Sequence, residues 1–232
     1  MDTAKATALH ARASARFDER VAAARSLLAR AAASHSDAIV QASSLGAEDQ
    51  VITDLIARDR LPIAVATLDT GKLHAETRAL IETTRERYGI FVERYRPVHD
   101  AVVAFVGRHG EEPMRKSVEL RKACCALRKV EPLQRMLAGR SAWITGLRRE
   151  QSSDRAVVET ESIDGEGRTK LSPLADWTWG DVWHYLALHD VPYNALHDRF
   201  FPSIGCAPCT RAIALGEDFR AGRWWWEDEA AK

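Results

Sequence analysis

Apolar and polar positions alternate between two periods along the first two thirds of the chain. Ala38-Ile39-Val40-Gln41-Ala42 is a short apolar run bounded by polar residues, the pattern of a buried strand. After the turn Ser43-Ser44-Leu45-Gly46, the spacing of Val51, Ile52, Leu55 and Ile56 predicts a helix over about 48–58. A second strand, 63–68, ends at Asp69-Thr70-Gly71, and a helix over 74–88 follows with Gly89 as its stop. A third strand over 90–95, a helix over 98–107, a helical stretch over 115–139 and a fourth strand over 142–145 complete the alternation. Strands separated by helices imply an α/β fold, a mostly parallel sheet with helices on both faces, with ligands bound outside the carboxyl ends of the strands. The turns at 43–49, 69–71 and 146–155 are expected to converge there.

Beyond that core, Asp164-Gly165 and Glu166-Gly167 mark a hairpin over 157–171, and 179–189 is predicted helical, capped by Thr178 with Asp181 in its first turn. From about Pro192 the pattern becomes irregular. The expected layout is a single domain over 1–232: an N-terminal helical segment (1–35, with Phe17, Val21, Leu27 and Leu28 packing inward), a nucleotide-binding core (36–190) and an irregular C-terminal segment (191–232). Hydrophobic residues make up 46%, enough for a packed core, and the 33 basic and 33 acidic residues cancel. That balance disfavours binding nucleic acid through bulk charge. No apolar run is long enough to span a bilayer and no secretion signal stands out, so a cytoplasmic setting is expected, although an Arg-rich transit peptide resembles this N-terminus.

In a reducing compartment, structural disulfides are rare. All four cysteines fall into two tight pairs, Cys124-Cys125 and Cys206-Ala207-Pro208-Cys209. Adjacent side chains on a helix diverge by about 100°, which suits two corners of a multi-iron cube better than one tetrahedral zinc. Arg121, Lys122, Arg128, Lys129 and Arg211 would offset the negative charge of a four-thiolate cluster. Spacing alone leaves three readings open: a [4Fe–4S] cluster, a structural zinc site and a redox dithiol.

The strand-to-helix turn Ser43-Ser44-Leu45-Gly46-Ala47-Glu48-Asp49 offers backbone N–H groups to an anion, but an ordinary capped helix reads the same way. It matches neither common phosphate-binding glycine fingerprint. Gly146-Leu147-Arg148-Arg149, continuing to Arg155, carries three arginines, and Arg220 and Arg223 add two more; guanidinium groups suit forked contacts with phosphate or sulfate, and a solvated loop is the plainer alternative. Of Trp224, Trp225 and Trp226, at least one should be exposed or meet a partner, since three neighbours cannot share one face.

Taken together, Ser44-Leu45-Gly46-Ala47-Glu48-Asp49, Leu68-Asp69-Thr70-Gly71-Lys72, Lys122-Ala123-Cys124-Cys125 with Arg128-Lys129-Val130-Glu131-Pro132-Leu133, Thr145-Gly146-Leu147-Arg148-Arg149-Glu150-Gln151-Ser152, Gly205-Cys206-Ala207-Pro208-Cys209-Thr210 and Arg220-Ala221-Gly222-Arg223-Trp224-Trp225 resemble the phosphoadenylyl/adenylyl-sulfate reductase family. The resemblance implies an adenine-nucleotide-alpha-hydrolase-like fold with a modified pyrophosphatase-type loop. It implies nucleotide contacts at Ser43, Ser44, Gly46, Asp49, Leu68, Thr70, Gly71 and Gly146, phosphosulfate contacts at Lys129, Arg148, Arg149, Arg220 and Arg223, and a [4Fe–4S] cluster on Cys124, Cys125, Cys206 and Cys209. Members with both cysteine pairs mostly use adenylyl sulfate, members without them the 3′-phosphorylated form (PAPS). The implied reaction is thioredoxin-dependent reduction of adenylyl sulfate to sulfite and AMP, in sulfate assimilation toward cysteine, through an S-sulfocysteine intermediate. A homo-oligomer without nucleic-acid or membrane partners is expected. The family's nucleophile lies in a Glu-Cys-Gly-(Leu/Ile)-His tail, which the 232 residues do not contain, so no catalytic residue is assigned and this stretch is expected to bind substrate without turnover. The alternatives are a PAPS reductase, an iron–sulfur tRNA-thiolating enzyme and a zinc-stabilised binding module.

Overall fold

The computed structural model describes residues 5–151 and 157–230. Six strands form one sheet in the order β3-β2-β1-β4-β6-β5. β1 (Ile39–Ser43) is central and pairs in parallel with both β2 (Ala64–Leu68) and β4 (Ala142–Ile144). β3 (Val92–Tyr95) extends the sheet beyond β2, and β6 (Thr169–Leu171) extends it beyond β4, both in parallel. Only β5 (Glu161–Ile163) is antiparallel, as the partner of β6 in the expected hairpin. The chain leaves β1 toward β2 on one side and returns to β4 on the other, so a crevice opens at the carboxyl end of β1.

The alternation along β1 and β2 decides what covers each face. Ile39 packs with α2 (Phe17–His35), α3 (Ala47–Arg58) and α8 (Trp179–Leu188) in the larger core, which includes Leu28, Ile52, Leu55, Val182 and Trp183. Val65 packs with Leu80 and Ile81 of α4 (Ala75–Tyr88). Val40 and Ala66 point the other way, onto Met136 and Leu137 of α7 (Glu131–Leu137). Gly89 ends α4 in the left-handed region (φ 68°), its N–H donating to the Arg85 carbonyl. Thr178 and Asp181 form a reciprocal capping box at the start of α8.

Two elements depart from the sequence pattern. The N-terminal segment is not one helix: α1 (Ala6–His10) and α2 are separated by an extended stretch in which Arg12 N–H donates to the Gly180 carbonyl (3.2 Å). Glycine is required at 180, because a Cβ there would lie 2.5 Å from the Arg12 carbonyl oxygen. The helical stretch predicted over 115–139 is three pieces. α6 (Val118–Cys125), capped by Ser117, runs into one wide π turn over Ala126–Val130 before α7. α5 (His99–His109) precedes them and has no buried residue. The short α9 (Trp225–Ala230) closes the described chain.

Candidate functional site

The crevice begins with the turn after β1. Leu45 takes a left-handed φ of 61°, which folds Ser44 back over the first turn of α3. Ser44 donates from both its N–H (2.7 Å) and its Oγ (2.6 Å) to Asp49 Oδ2. The helix start is pinned from below as well: Gln41, buried in β1, donates to the Asp49 carbonyl (2.8 Å) and accepts from Thr53 (2.9 Å). Asp49 Oδ1 lies against Gly146 without a well-formed hydrogen bond, and a Cβ at 146 would come within 2.6 Å of it. Burial pushes the Asp49 carboxyl up to about 6, opposed by the hydrogen bonds from Ser44.

Two cavities meet over this turn. The first, about 340 Å³, is lined by Ser44, Gly46, Asp49 and Gly146 on the strand-end side and by Lys129, Arg220 and Arg223 opposite. The second, about 220 Å³, is lined by Ser43, Leu68 and Thr70 together with Leu133, Met136 and Trp143, and shares Ser44 and Lys129 with the first. It has the apolar lining that suits a planar base. Lys129 and Arg220 have no carboxylate partner among the described residues. Arg223 donates weakly to Ser203 Oγ (3.3 Å) and the Ile204 carbonyl (3.4 Å), stacks 5.0 Å from the Trp224 ring, and leaves its Nε buried and unpartnered. Burial, then the neighbouring Arg220, lowers its pKa. Unanswered cations facing a helix start make an anion site.

Arg148 and Arg149 lie elsewhere. Arg148 is only 1% exposed and is fully engaged: it donates to Glu48 (2.9 Å), Glu150 (2.7 Å) and the Trp177 carbonyl (3.2 Å). Arg149 pairs with Asp176 outside both cavities. Gly71 (φ 72°) lines a separate groove with Lys72, Arg96 and Arg128. Ser152 and Arg155 of the arginine loop lie outside the described residues.

The four cysteines, in pairs 81 residues apart along the chain, line one further cavity with Lys72, Arg128, Lys129 and Trp224. The turn after β2 brings the second pair in: Leu73 bridges to Cys206, Ala207 N–H donates to the Lys72 carbonyl (2.8 Å), and Thr70 Oγ1 lies 3.3 Å from Cys206 Sγ. Arg128 ties the first pair to the same turn by donating to the Thr70 carbonyl (2.8 Å). All four thiols are free. Burial raises Cys124 and pushes Cys209 up to about 12, and the neighbouring thiols add to both. Such a set becomes thiolate only when a cationic metal group joins it. Among the described residues no three His, Cys, Asp or Glu side chains are arranged to hold a single metal ion. Four cysteines on the walls of one cavity are a donor set of the kind that suits an iron–sulfur group.

Lys129 lines all three cavities. The sequence places it one α-helical turn after Cys125; the structure puts the π turn between them, which widens the turn and offsets the two side chains. Sequence reasoning did not single out His197, Gln151 and Phe219 as cavity-lining residues, nor Leu133, Met136 and Trp143 as the walls of the apolar one. Two of these, His197 and Phe219, lie in the irregular region, where no periodicity marks an inward face. Trp225 and Trp226 meet edge to face and share the Arg115 guanidinium, 5.3 Å from each ring.

Residues 38–212 match the family described as the phosphoadenosine phosphosulfate reductase domain. The chain belongs to this family. Among its relatives, the adenosine 5′-phosphosulfate reductase of Burkholderia cepacia is 52% identical over all of this chain and 91% of its own length. That of Allochromatium vinosum is 55% identical over 84% of this chain and 77% of its own. The fold is shared with phosphoadenylyl-sulfate reductase from Candida auris, solved as a phosphate complex (TM-score 0.70, 24% identity, covering 87% of this chain and 98% of that one). It is also shared, more loosely, with Candida glabrata FMN adenylyltransferase in complex with FAD and inorganic pyrophosphate (TM-score 0.59, 16% identity, 98% and 79%). The sheet order and these likenesses establish an α/β fold with a mostly parallel six-stranded sheet, shared with these proteins.

Proposed function

We propose that this chain binds adenylyl sulfate for its reduction to sulfite and AMP, with a thioredoxin-type dithiol as reductant. The observation that carries the reading is the group Lys129, Arg220 and Arg223, without carboxylate partners among the described residues, which lines one cavity with the start of α3, Lys129 also lining the four-thiol cavity. The activity for which relatives at 52–55% identity are named supports it, and so does the full set of four cysteines.

The chemistry needs a thiolate to attack the sulfate sulfur, breaking the sulfur–oxygen bond to AMP; a dithiol then delivers two electrons and releases sulfite. A thiolate and an anionic substrate repel, so cations must gather where they meet. A cation at about 4 Å contributes roughly 4 kcal/mol at an effective dielectric near 20, before desolvation is subtracted. Lys129, Arg220 and Arg223 supply that charge. The four cysteines are committed to their shared cavity, so the attacking thiolate is assigned to a cysteine outside the 232 residues, in the tail that the family resemblance implies. Cys124, Cys125, Cys206 and Cys209 would hold a [4Fe–4S] group, which when bound supplies a compact negative centre that orders the two thiol segments and the Lys129 turn. The apolar cavity beside Leu68, Leu133, Met136 and Trp143 takes the adenine.

Equilibrium binding of adenylyl sulfate to anaerobically purified protein tests this, alongside iron and acid-labile sulfide per chain. Lys129→Ala is expected to weaken binding by at least about ten-fold while leaving iron unchanged. Equal affinity in the variant overturns the assigned role, and colourless protein without iron overturns the cluster. Tight retention of tRNA in a filter assay would favour the thiolation alternative instead.

A further inference from the structure

His197 sits in the one-turn 3₁₀ segment Ala195–Arg199, between the end of α8 and the second cysteine pair. Its backbone position is held firmly. Asn194 is buried, accepts from Leu196 N–H (3.1 Å) and donates to Thr77 (2.8 Å), and Asp198 accepts from Tyr193 (2.9 Å) and from Ala6 N–H at the start of α1 (2.7 Å). The imidazole is 7% exposed and walled by rings: Trp183 at 5.1 Å, Trp179 at 6.3 Å and Tyr193 at 6.5 Å. One side remains open, and it faces the first cavity, beside Glu48, Gln151, Gly146 and Phe219.

Among the described residues neither ring nitrogen has a hydrogen-bond partner; the backbone of Phe201 passes nearby without a well-formed bond. A buried imidazole with both nitrogens idle is unusual, because such groups are normally satisfied within the protein. The burial that makes it costly also keeps it uncharged, pushing its pKa down to about 4. It therefore presents one donor and one acceptor, and no charge, to whatever fills the cavity.

The phosphosulfate is answered by Lys129, Arg220 and Arg223, and the base by the apolar cavity. What remains of an adenine nucleotide is the ribose, whose hydroxyls are uncharged and both give and accept hydrogen bonds. We propose that His197 is a substrate-positioning residue that hydrogen-bonds the ribose hydroxyls of the bound nucleotide. The inference rests on the nucleotide-binding reading above.

The test uses the unaltered protein first. Affinities for adenosine 5′-monophosphate and its 2′,3′-dideoxy analogue are compared, then repeated with His197→Phe, which keeps a ring against Trp183, and with His197→Gln, which keeps a donor and an acceptor. The unaltered protein should prefer the hydroxyl-bearing nucleotide by about ten-fold, the magnitude of one or two net hydrogen bonds. His197→Phe should lose that preference and His197→Gln should keep part of it. A packing role alone predicts that all forms prefer it equally, and that result overturns the proposal. So does an unaltered protein that binds both nucleotides equally, an outcome that needs no variant to fold. If it binds neither, the nucleotide-binding reading falls and the proposal with it; if it binds both equally, the proposal falls alone.

Discussion

Arg148 and Arg223 are both withdrawn from solvent near the same crevice, yet they are handled in opposite ways. Arg148 is held by two carboxylates and a carbonyl, on the strand-end side where Gln41, Ser44 and Thr53 also find partners within the protein. Among the described residues Arg223 meets only a serine hydroxyl, a carbonyl and an aromatic face, and it lies within electrostatic reach of Cys206, Cys209 and Cys125, which repel one another as thiolates. One region finds its partners within the protein; the other leaves cations without a carboxylate partner among the described residues, which is why it is proposed to receive an anion. A buried charge is thus informative through what it lacks: the saturated arginine is scaffold, and the unsaturated one marks the place where a ligand's charge belongs.

The contrast can be broken most severely at the thiols. Cys206→Ser should drop iron from about four per chain to under about one, measured with acid-labile sulfide on anaerobic protein. It should also raise amide exchange around 120–130 and 204–212, where metal binding is coupled to order. Next comes the scaffold arginine. Arg148→Met strands Glu48 and should cost about 3–5 kcal/mol in urea unfolding, whereas Arg223→Gln should shift stability by under about 0.5 kcal/mol and instead weaken adenylyl sulfate binding. Equal destabilisation by the two would erase the distinction.

Acid dependence sharpens it at Asp49. Its pKa in the folded chain, about 6, lies above the ordinary 3.8, so the folded state holds that proton more tightly than the unfolded state does. The associated stability is complete below about pH 3.8 and is lost as pH rises through about 6. Asp49→Asn should therefore exceed the unaltered protein by on the order of 2–3 kcal/mol at pH 8, with the gap closing toward pH 4 in denaturant melts. A comparable or smaller effect is expected at Gly146→Ala, whose methyl group would press on Asp49 Oδ1; it should cost roughly 1–3 kcal/mol and reduce nucleotide affinity without changing iron content.

Much of the fold was legible because the central strands are buried on both faces. Apolar runs such as Ile39-Val40 and Val65-Ala66 mark parallel strands, and the intervening helices force the crossovers. Of the turns at 43–49, 69–71 and 146–155, the first contributes Ser43, Ser44, Gly46 and Asp49 to the two cavities, the second Thr70, and the third Gly146, Leu147 and Gln151, whereas Asp69 and Gly71 line a separate groove and 152–155 lie outside the described residues. The break between α1 and α2 was hidden because it depends on a distant partner, the backbone of Gly180. The division of the arginines was hidden for the same reason: Arg148, Arg149, Arg220 and Arg223 look alike as residue types, and only the positions of Glu48, Glu150 and Asp176 separate them. His197 carried no signal at all, since a histidine in an irregular stretch looks the same facing water or facing a cavity.

The wide turn over Ala126–Val130 has a consequence for how this protein tolerates change. It sets the rotational phase between the Cys124-Cys125 doublet and the Met136-Leu137 face that grips the sheet. A π turn absorbs one extra residue, so removing one from it would restore an uninterrupted α-helix and leave the doublet at nearly the same phase, whereas removing one from the α-helical turns on either side would swing the doublet by about 100° about the helix axis. A one-codon deletion is therefore absorbed inside the wide turn and misaligns the cysteine doublet when it falls in α6 or α7.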